Sequence, residues 1–470
     1  MSQAGTVPAP PIGRVIMIAS AAAMGGFLFG FDTAVINGAV GAVGEWSGVS
    51  KILLGFSVAF ALVGCAIGAW FAGPISAKFG RIRVMQVAAI LFFITSLACG
   101  LVWDIWSLTI FRFIGGFAVG AASVIAPAYI AEVSPAHVRG RLGSLQQLAI
   151  VVGIFVSLLS NYALAQAAGG AANVLWLGLE AWRWMFIAEC IPALIYGALS
   201  FAIPESPRYL VSQGKTQEAE RIIGRYVGGN PTETVTAITA TISTQTKQSI
   251  RVLKGKALGL LPIVWVGILL SLFQQLVGIN VIFYYSTMLW QAVGFDESDA
   301  LLTGVITSVV NIATTVVAIM LVDRIGRKPL LMIGSIGMAV TLGTMAFIFG
   351  TAPVAEAADG SMQPVLSAGA GVVAVLAANL YVVFFGMSWG PVVWVLLGEM
   401  FNNRIRAYAI SVAAAAQWLA NFAVSLTFPT LADIGLGLAY GLYTTMAIIS
   451  LFFVWKFVKE TRGRELESME

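Results

Sequence analysis

Twelve runs of about 20 predominantly apolar residues succeed one another along the chain, and that is the length an α-helix needs to cross a bilayer. They fall near residues 15–40, 52–73, 84–103, 107–131, 142–165, 184–203, 258–290, 301–321, 329–350, 367–398, 407–428 and 436–457. With 59% hydrophobic and 10% charged residues, the chain has more apolar surface than a soluble core absorbs. In hydrocarbon the backbone must satisfy its own hydrogen bonds, so an all-α membrane protein of twelve transmembrane helices is predicted.

Charge distribution orients these spans. Of 26 Lys and Arg, Arg112 falls within a span and Lys51 and Arg183 at the opposite ends, leaving 23 on one side. The positive-inside rule makes that side cytoplasmic, with both termini on it. The first fourteen residues carry one positive charge and three prolines and lead straight into a span, so no cleavable signal is expected. A net charge of +4 gives no reason to expect a nucleic-acid partner. Cys65, Cys99 and Cys190 fall within spans, and with one histidine, His137, no metal or cofactor site is expected.

One long polar insert, 204–257, separates two sets of six spans and contains short helical stretches. The expected organisation is an N-terminal bundle over 1–203, a cytoplasmic helical linker over 204–257 and a C-terminal bundle over 258–470. The halves repeat weakly. Gly30-Phe31-Asp32 matches Gly278-Ile279-Asn280, and FGR at 79–81 matches IGR at 325–327. AEVSPAHVRGR pairs with GEMFNNRIRAY, setting Glu132 before Arg139 and Glu399 before Arg406, while PESPR and KETRG end the two sets. Duplicated helical halves are the build of many secondary transporters, whose substrate lies between them near the midplane.

Polar residues inside apolar spans demand partners. Asp32 in span 1 has Arg112 in span 4 as its natural counter-ion. A static ion pair is one reading. Burial and a guanidinium act on a carboxyl's protonation in opposite senses, so a proton carrier is the other. In span 7, FQQLVGIN sets Gln274, Gln275 and Asn280 around Gly278. Amides donate and accept in fixed geometry, which suits a neutral polyol; hydrogen bonding between spans is the alternative use. Gly278 permits a local break, and Gly390-Pro391 should interrupt span 10, as a gate or as a plain kink.

GGFLFGFDTAVING, RFIGGFAVG, YIAEVSPAHVRG, PESPRYL, FQQLVGINVIFYYS, VDRIGRKPL, GMSWGPVVWVLLGE, AAAQWLANF and VKETRGRELE occur in this order. Through them the chain resembles the sugar porters of the major facilitator superfamily. The likeness is closest to bacterial proton-coupled symporters of the xylose type, with facilitative glucose transporters as relatives. The resemblance implies that Asp32 carries the proton and that protonation releases Arg112. It implies sugar contacts from Gln147, Gln274, Gln275, Asn280, Asn311 and Gln417, with Trp394, Trp418, Phe29 and Tyr284 offering flat apolar faces. Ile154 and Phe283 add apolar bulk, as in glucose-transporting relatives. It also implies a cytoplasmic salt-bridge network that closes the inner face, formed by Glu132, Arg139, Glu205, Arg208, Asp323, Arg324, Arg327, Arg81, Glu399, Arg406 and Glu460, with Glu189 joining it.

The expected function is import of a monosaccharide, D-glucose or a related hexose, by proton symport with alternating access in the cell membrane, by a monomer. One proton descending 100 mV supplies about 2.3 kcal/mol, roughly 50-fold accumulation of a neutral solute. Proton-independent diffusion, and xylose or galactose as substrate, remain alternatives. A non-transporting receptor would carry a longer signalling tail, and an enzyme would need a nucleophile or metal cluster that the sequence does not suggest.

Overall fold

The computed structural model describes residues 12–134, 139–228, 230–245, 250–356, 362–401 and 405–461. The first set of spans comprises α1 (Ile12–Ser47), α2 (Lys51–Phe79), α3 (Arg81–Gly100), α4 (Ile105–Val133), α5 (Arg139–Ala168), and a sixth span split into α6 (Ala181–Ala188) and α7 (Cys190–Ala202). Strands β1 (Val174–Trp176) and β2 (Leu179–Glu180) form a hairpin before α6. The linker holds α8 (Pro207–Ser212), α9 (Thr216–Ile222) and α10 (Pro231–Gln245). The second set begins with a divided span, α11 (Pro262–Leu276) and α12 (Ile279–Tyr284), followed by α13 (Ser286–Ala292). Then come α14 (Glu297–Ile325), α15 (Arg327–Thr351), the divided α16 (Ala368–Gly386) and α17 (Trp389–Met400), α18 (Arg406–Ile434) and α19 (Leu436–Phe457). Twelve segments among the described residues are long and apolar enough to cross a membrane.

Small residues bring the helices together, since lipid provides no hydrophobic drive for helix association. Gly64 and Gly68 of α2 lie against the carbonyls of Phe113 and Phe117, and Gly116 and Gly120 of α4 lie reciprocally against those of Ala61 and Cys65. A Cβ at any of the four would overlap a carbonyl oxygen. The α1–α5 crossing repeats the device with Gly30 on Ile150 and Gly153 on Phe27. These close crossings bury α1 in its bundle, where Asp32 meets Arg112 of α4.

Linker helices α8, α9 and α10 share a small apolar cluster that includes Leu210, Ile222, Ile223 and Val235. Tyr226 packs on both that cluster and the first bundle, and Tyr129 donates to the Pro204 carbonyl.

The two sets of spans are tied at the end away from the linker. Asn37 on α1 donates to the Phe283 carbonyl at 3.0 Å and to Ser286 Oγ at 2.6 Å. Its oxygen accepts from Thr287 N at 3.0 Å and Thr287 Oγ1 at 2.6 Å, so the whole amide is engaged by the start of α13. Lys51 on α2 pairs with Asp433 on α18 at 2.6 Å, and Glu297 accepts from the Ala171 N–H at 3.0 Å. Near mid-membrane, Phe29 meets Trp418 edge-on with centroids 5.2 Å apart.

Candidate functional site

Span 7 breaks at Gly278, whose φ of 84° and ψ of 20° lie in the left-handed region that glycine enters without steric penalty. A side chain there would also strike the Tyr443 ring. Tyr381 donates to the Val277 carbonyl freed by the break, at 2.8 Å. Span 10 breaks at Met387-Ser388, with Ser388 at φ −135° and ψ −88°, two residues before the expected Gly390-Pro391. The shift has a simple cause. Pro391 occupies the first turn of α17, where an N–H has no intrahelical acceptor, so the proline starts the second half and does not interrupt the span.

The polar residues of FQQLVGIN join these two breaks. Asn280 Nδ2 donates to Gln275 Oε1, Gln275 Nε2 donates to Gln274 Oε1 at 3.5 Å, and Gln274 Nε2 donates to the carbonyls of Trp389 at 2.8 Å and Gly390 at 3.1 Å. Gln274 is held at both ends: its nitrogen donates to the main chain of α17 and its oxygen accepts from Gln275. Trp389 is pinned in turn by its indole N–H to the Leu331 carbonyl and Ser335 Oγ. Asn311 on α14 is buried beside Gly386 at the end of α16. Gln417 on α18 has its side-chain oxygen buried without a partner, Gln147 on α5 is half-buried, and Trp394 is 41% exposed on α17. Ile154 is half-buried where α5 crosses α1. Phe283 is buried, its carbonyl used by Asn37.

Asp32 and Arg112 are both buried, with Arg112 Nη1 3.8 Å from Asp32 Oδ1. Nε and Nη1 of Arg112 have no hydrogen-bond partner, and its guanidinium lies 5.6 Å from the Phe186 centroid. Beside the pair is a cavity of about 10 Å³, room for roughly one water, lined also by Thr33, Ile36, Val58 and Tyr284. Tyr284 connects the two regions: it borders this cavity and its hydroxyl accepts from Asn421 at 3.3 Å.

Glu189 departs from the expected cytoplasmic network. It sits at the α6–α7 junction inside span 6, where Ser96 donates to its Oε2 at 2.7 Å and Oε1 is buried without a partner. At this interruption of the span the carboxyl is buried within the bundle.

On the linker side, two copies of one arrangement appear. Arg81 holds Glu132 through two hydrogen bonds of 3.0 and 2.9 Å, and Glu205 caps the start of α3 through the N–H groups of Arg81 and Ile82. Arg327 holds Glu399 at 3.0 and 2.7 Å, and Glu460 caps α15 through Arg327 and Lys328. Each of these contacts runs within one set of spans. The acids cap helix starts and meet arginines of their own bundle. Arg208 is half-buried on α8 and Arg324 is exposed at the end of α14. The side chains of Arg139, Asp323 and Arg406, and residue His137, lie outside the described residues.

Asn37 and Asn421 were not among the expected site residues. Their signal was available, since each is an amide within an apolar span.

Twelve spans with an internal repeat, breaks in spans 7 and 10 and buried polar groups between them define a membrane carrier of the major facilitator type. The family model for "Sugar (and other) transporter" matches residues 18–470, and the chain belongs to that family. It is 58% identical over 457 residues to the glucose transport protein of Synechocystis sp. (strain ATCC 27184 / PCC 6803 / Kazusa), covering 97% of each chain. It is 40% identical to the D-xylose-proton symporter of Escherichia coli (strain K12), covering 97% of this chain and 95% of that one. Among solved structures it is similar to the inward-open xylose transporter XylE from E. coli, with TM-score 0.80, 37% identity, and 97% and 99% of the two chains covered. The proton:xylose symporter XylE bound to 6-bromo-6-deoxy-D-glucose gives TM-score 0.79 and 39% identity, with 97% and 98% covered.

Proposed function

We propose that this sugar transporter imports D-glucose or a related hexose together with a proton, as a monomer in the cell membrane. The sugar is bound between bundles 1–203 and 258–470, with linker 204–257 and both termini cytoplasmic. The observation that carries the reading is the amide chain Asn280–Gln275–Gln274, which spans the breaks of two helices. Without sugar the amides satisfy one another; a polyol hydroxyl, which both donates and accepts, can replace the Asn280–Gln275 contact at little cost. Gln417, whose oxygen has no partner, is a further acceptor, and Trp394 a face for the sugar's C–H groups.

Arg112 stabilises a charged Asp32 by proximity while leaving it without a tight hydrogen bond, and the water-sized space beside them admits proton transfer. Protonation removes the attraction and frees Arg112, and Tyr284 at the end of α12 passes that change to Asn421 on α18. Opening of the end away from the linker requires Asn37 to leave α13 and Lys51 to leave Asp433. The close likeness to a glucose transport protein supports hexose as cargo, and the likeness to a proton symporter supports coupling. The test is D-glucose binding to purified protein by calorimetry, with D-xylose and D-galactose in competition. Binding of glucose in preference supports the assignment, and preference for xylose overturns it.

A further inference from the structure

Between α5 and α6, the hairpin β1–β2 pairs Trp176 with Leu179 across a two-residue turn, Leu177-Gly178. Both turn residues have positive φ, 54° and 75°, a geometry that matches strand twist and favours Asn or Gly. Leu177 fills the first place and is 87% exposed. For a turn in water, leucine is a poor choice in both conformation and polarity.

The hairpin's seat indicates what surrounds it. Along α6 and α7 the outward stripe runs through Trp184, Ile191, Leu194, Ile195 and Phe201, the side that a membrane span turns to lipid. Trp184 heads this stripe, donates from its indole N–H to the Trp176 carbonyl at 3.1 Å, and meets the Trp176 ring edge to face at 5.6 Å. The exposed Trp176 and Leu177 thus continue the lipid-facing side of span 6 beyond its end. Trp103, between α3 and α4, and Trp106, in the first turn of α4, are also exposed at the same end. The base of the same loop touches the other bundle through Ala171 and Glu297.

We propose that the tip of the 174–180 hairpin inserts into the headgroup and upper acyl layer of the leaflet away from the linker, its partner being lipid. Indoles favour that layer, and the adjacent leucine gains by leaving water. The loop would then join a lipid-held tip to one of the contacts that close that end of the transporter.

The test places an environment-sensitive fluorophore on Leu177→Cys in protein reconstituted into phosphatidylcholine vesicles, with Trp176→Cys as a second site. Ser212→Cys, at the exposed end of linker helix α8, is the water-facing control, and labelled parent protein sets the background of the buried native cysteines. The expected result is blue-shifted emission at 177 and 176, quenched several-fold more by lipid bearing an acyl-chain quencher than at 212. Water-like emission matching the control would overturn the proposal. So would blue-shifted emission insensitive to the lipid-borne quencher, which would put the tip against protein, a second copy included.

Discussion

Arg112 Nη1 stands 3.8 Å from Asp32 Oδ1, within ion-pair range and beyond hydrogen-bonding distance. A pair so loosely joined, with two guanidinium nitrogens making no hydrogen bond, has slack for a proton to exploit. Asp32→Asn keeps the size of the side chain and removes its charge. The variant is expected to bind sugar and to exchange labelled for unlabelled sugar, while its accumulation ratio drops from roughly 50-fold per 100 mV to unity. Full accumulation by this variant would remove Asp32 from coupling.

The amide chain predicts a division of labour. Gln275→Ala and Asn280→Ala each remove one sugar hydrogen bond, about 1 kcal/mol or roughly fivefold in Kd, read by calorimetry. Gln274→Ala instead frees the carbonyls at Trp389 and Gly390 from their side-chain donor and lowers the melting temperature of the protein in detergent. Unchanged affinity in both Gln275→Ala and Asn280→Ala would refute the site.

Asn37 engages α13 with every polar atom of its amide. Its replacement by alanine strands Ser286 and Thr287 and should release the closed end. Spin labels at Ile52→Cys and Ile434→Cys, both exposed at that end on opposite sides of the seam, are expected to show a longer mean separation in Asn37→Ala. An unchanged distance distribution would mean that the contact does not hold the end shut.

Gly80 and Gly326 have φ of 92° and 101°, and each lies against the carboxylate that caps the next helix, Glu205 and Glu460. Alanine at either position is both strained and too close to that carboxylate, a cost of about 1–3 kcal/mol. Gly73→Ala, which meets nothing within 4 Å, is the control. Thermal unfolding in detergent should separate the two substitutions from the control by several degrees; equal melting temperatures would contradict the capping role.

Much of this was legible in the chain. Apolar length gives the spans because hydrocarbon permits little else, and the repeats FGR and IGR carried the paired capping sites, since glycine and arginine there answer to one local geometry. Gly278 marked its own break. Pro391 misplaced the other, because proline is equally at home in the first turn after a break. Gln274 announced itself as an amide in need of a partner, but a sequence cannot reveal that main-chain carbonyls of α17 will meet its nitrogen. Glu189 was assigned to the cytoplasmic acids because sequence does not show which way an interruption of span 6 turns a side chain.

Uptake of labelled D-glucose into proteoliposomes, with and without an inward proton gradient, reads cargo and coupling in one experiment. Accumulation above equilibrium that requires the gradient and is lost in Asp32→Asn is the expected result. Equilibration that ignores the gradient, or no glucose uptake by protein that moves another sugar, would contradict it.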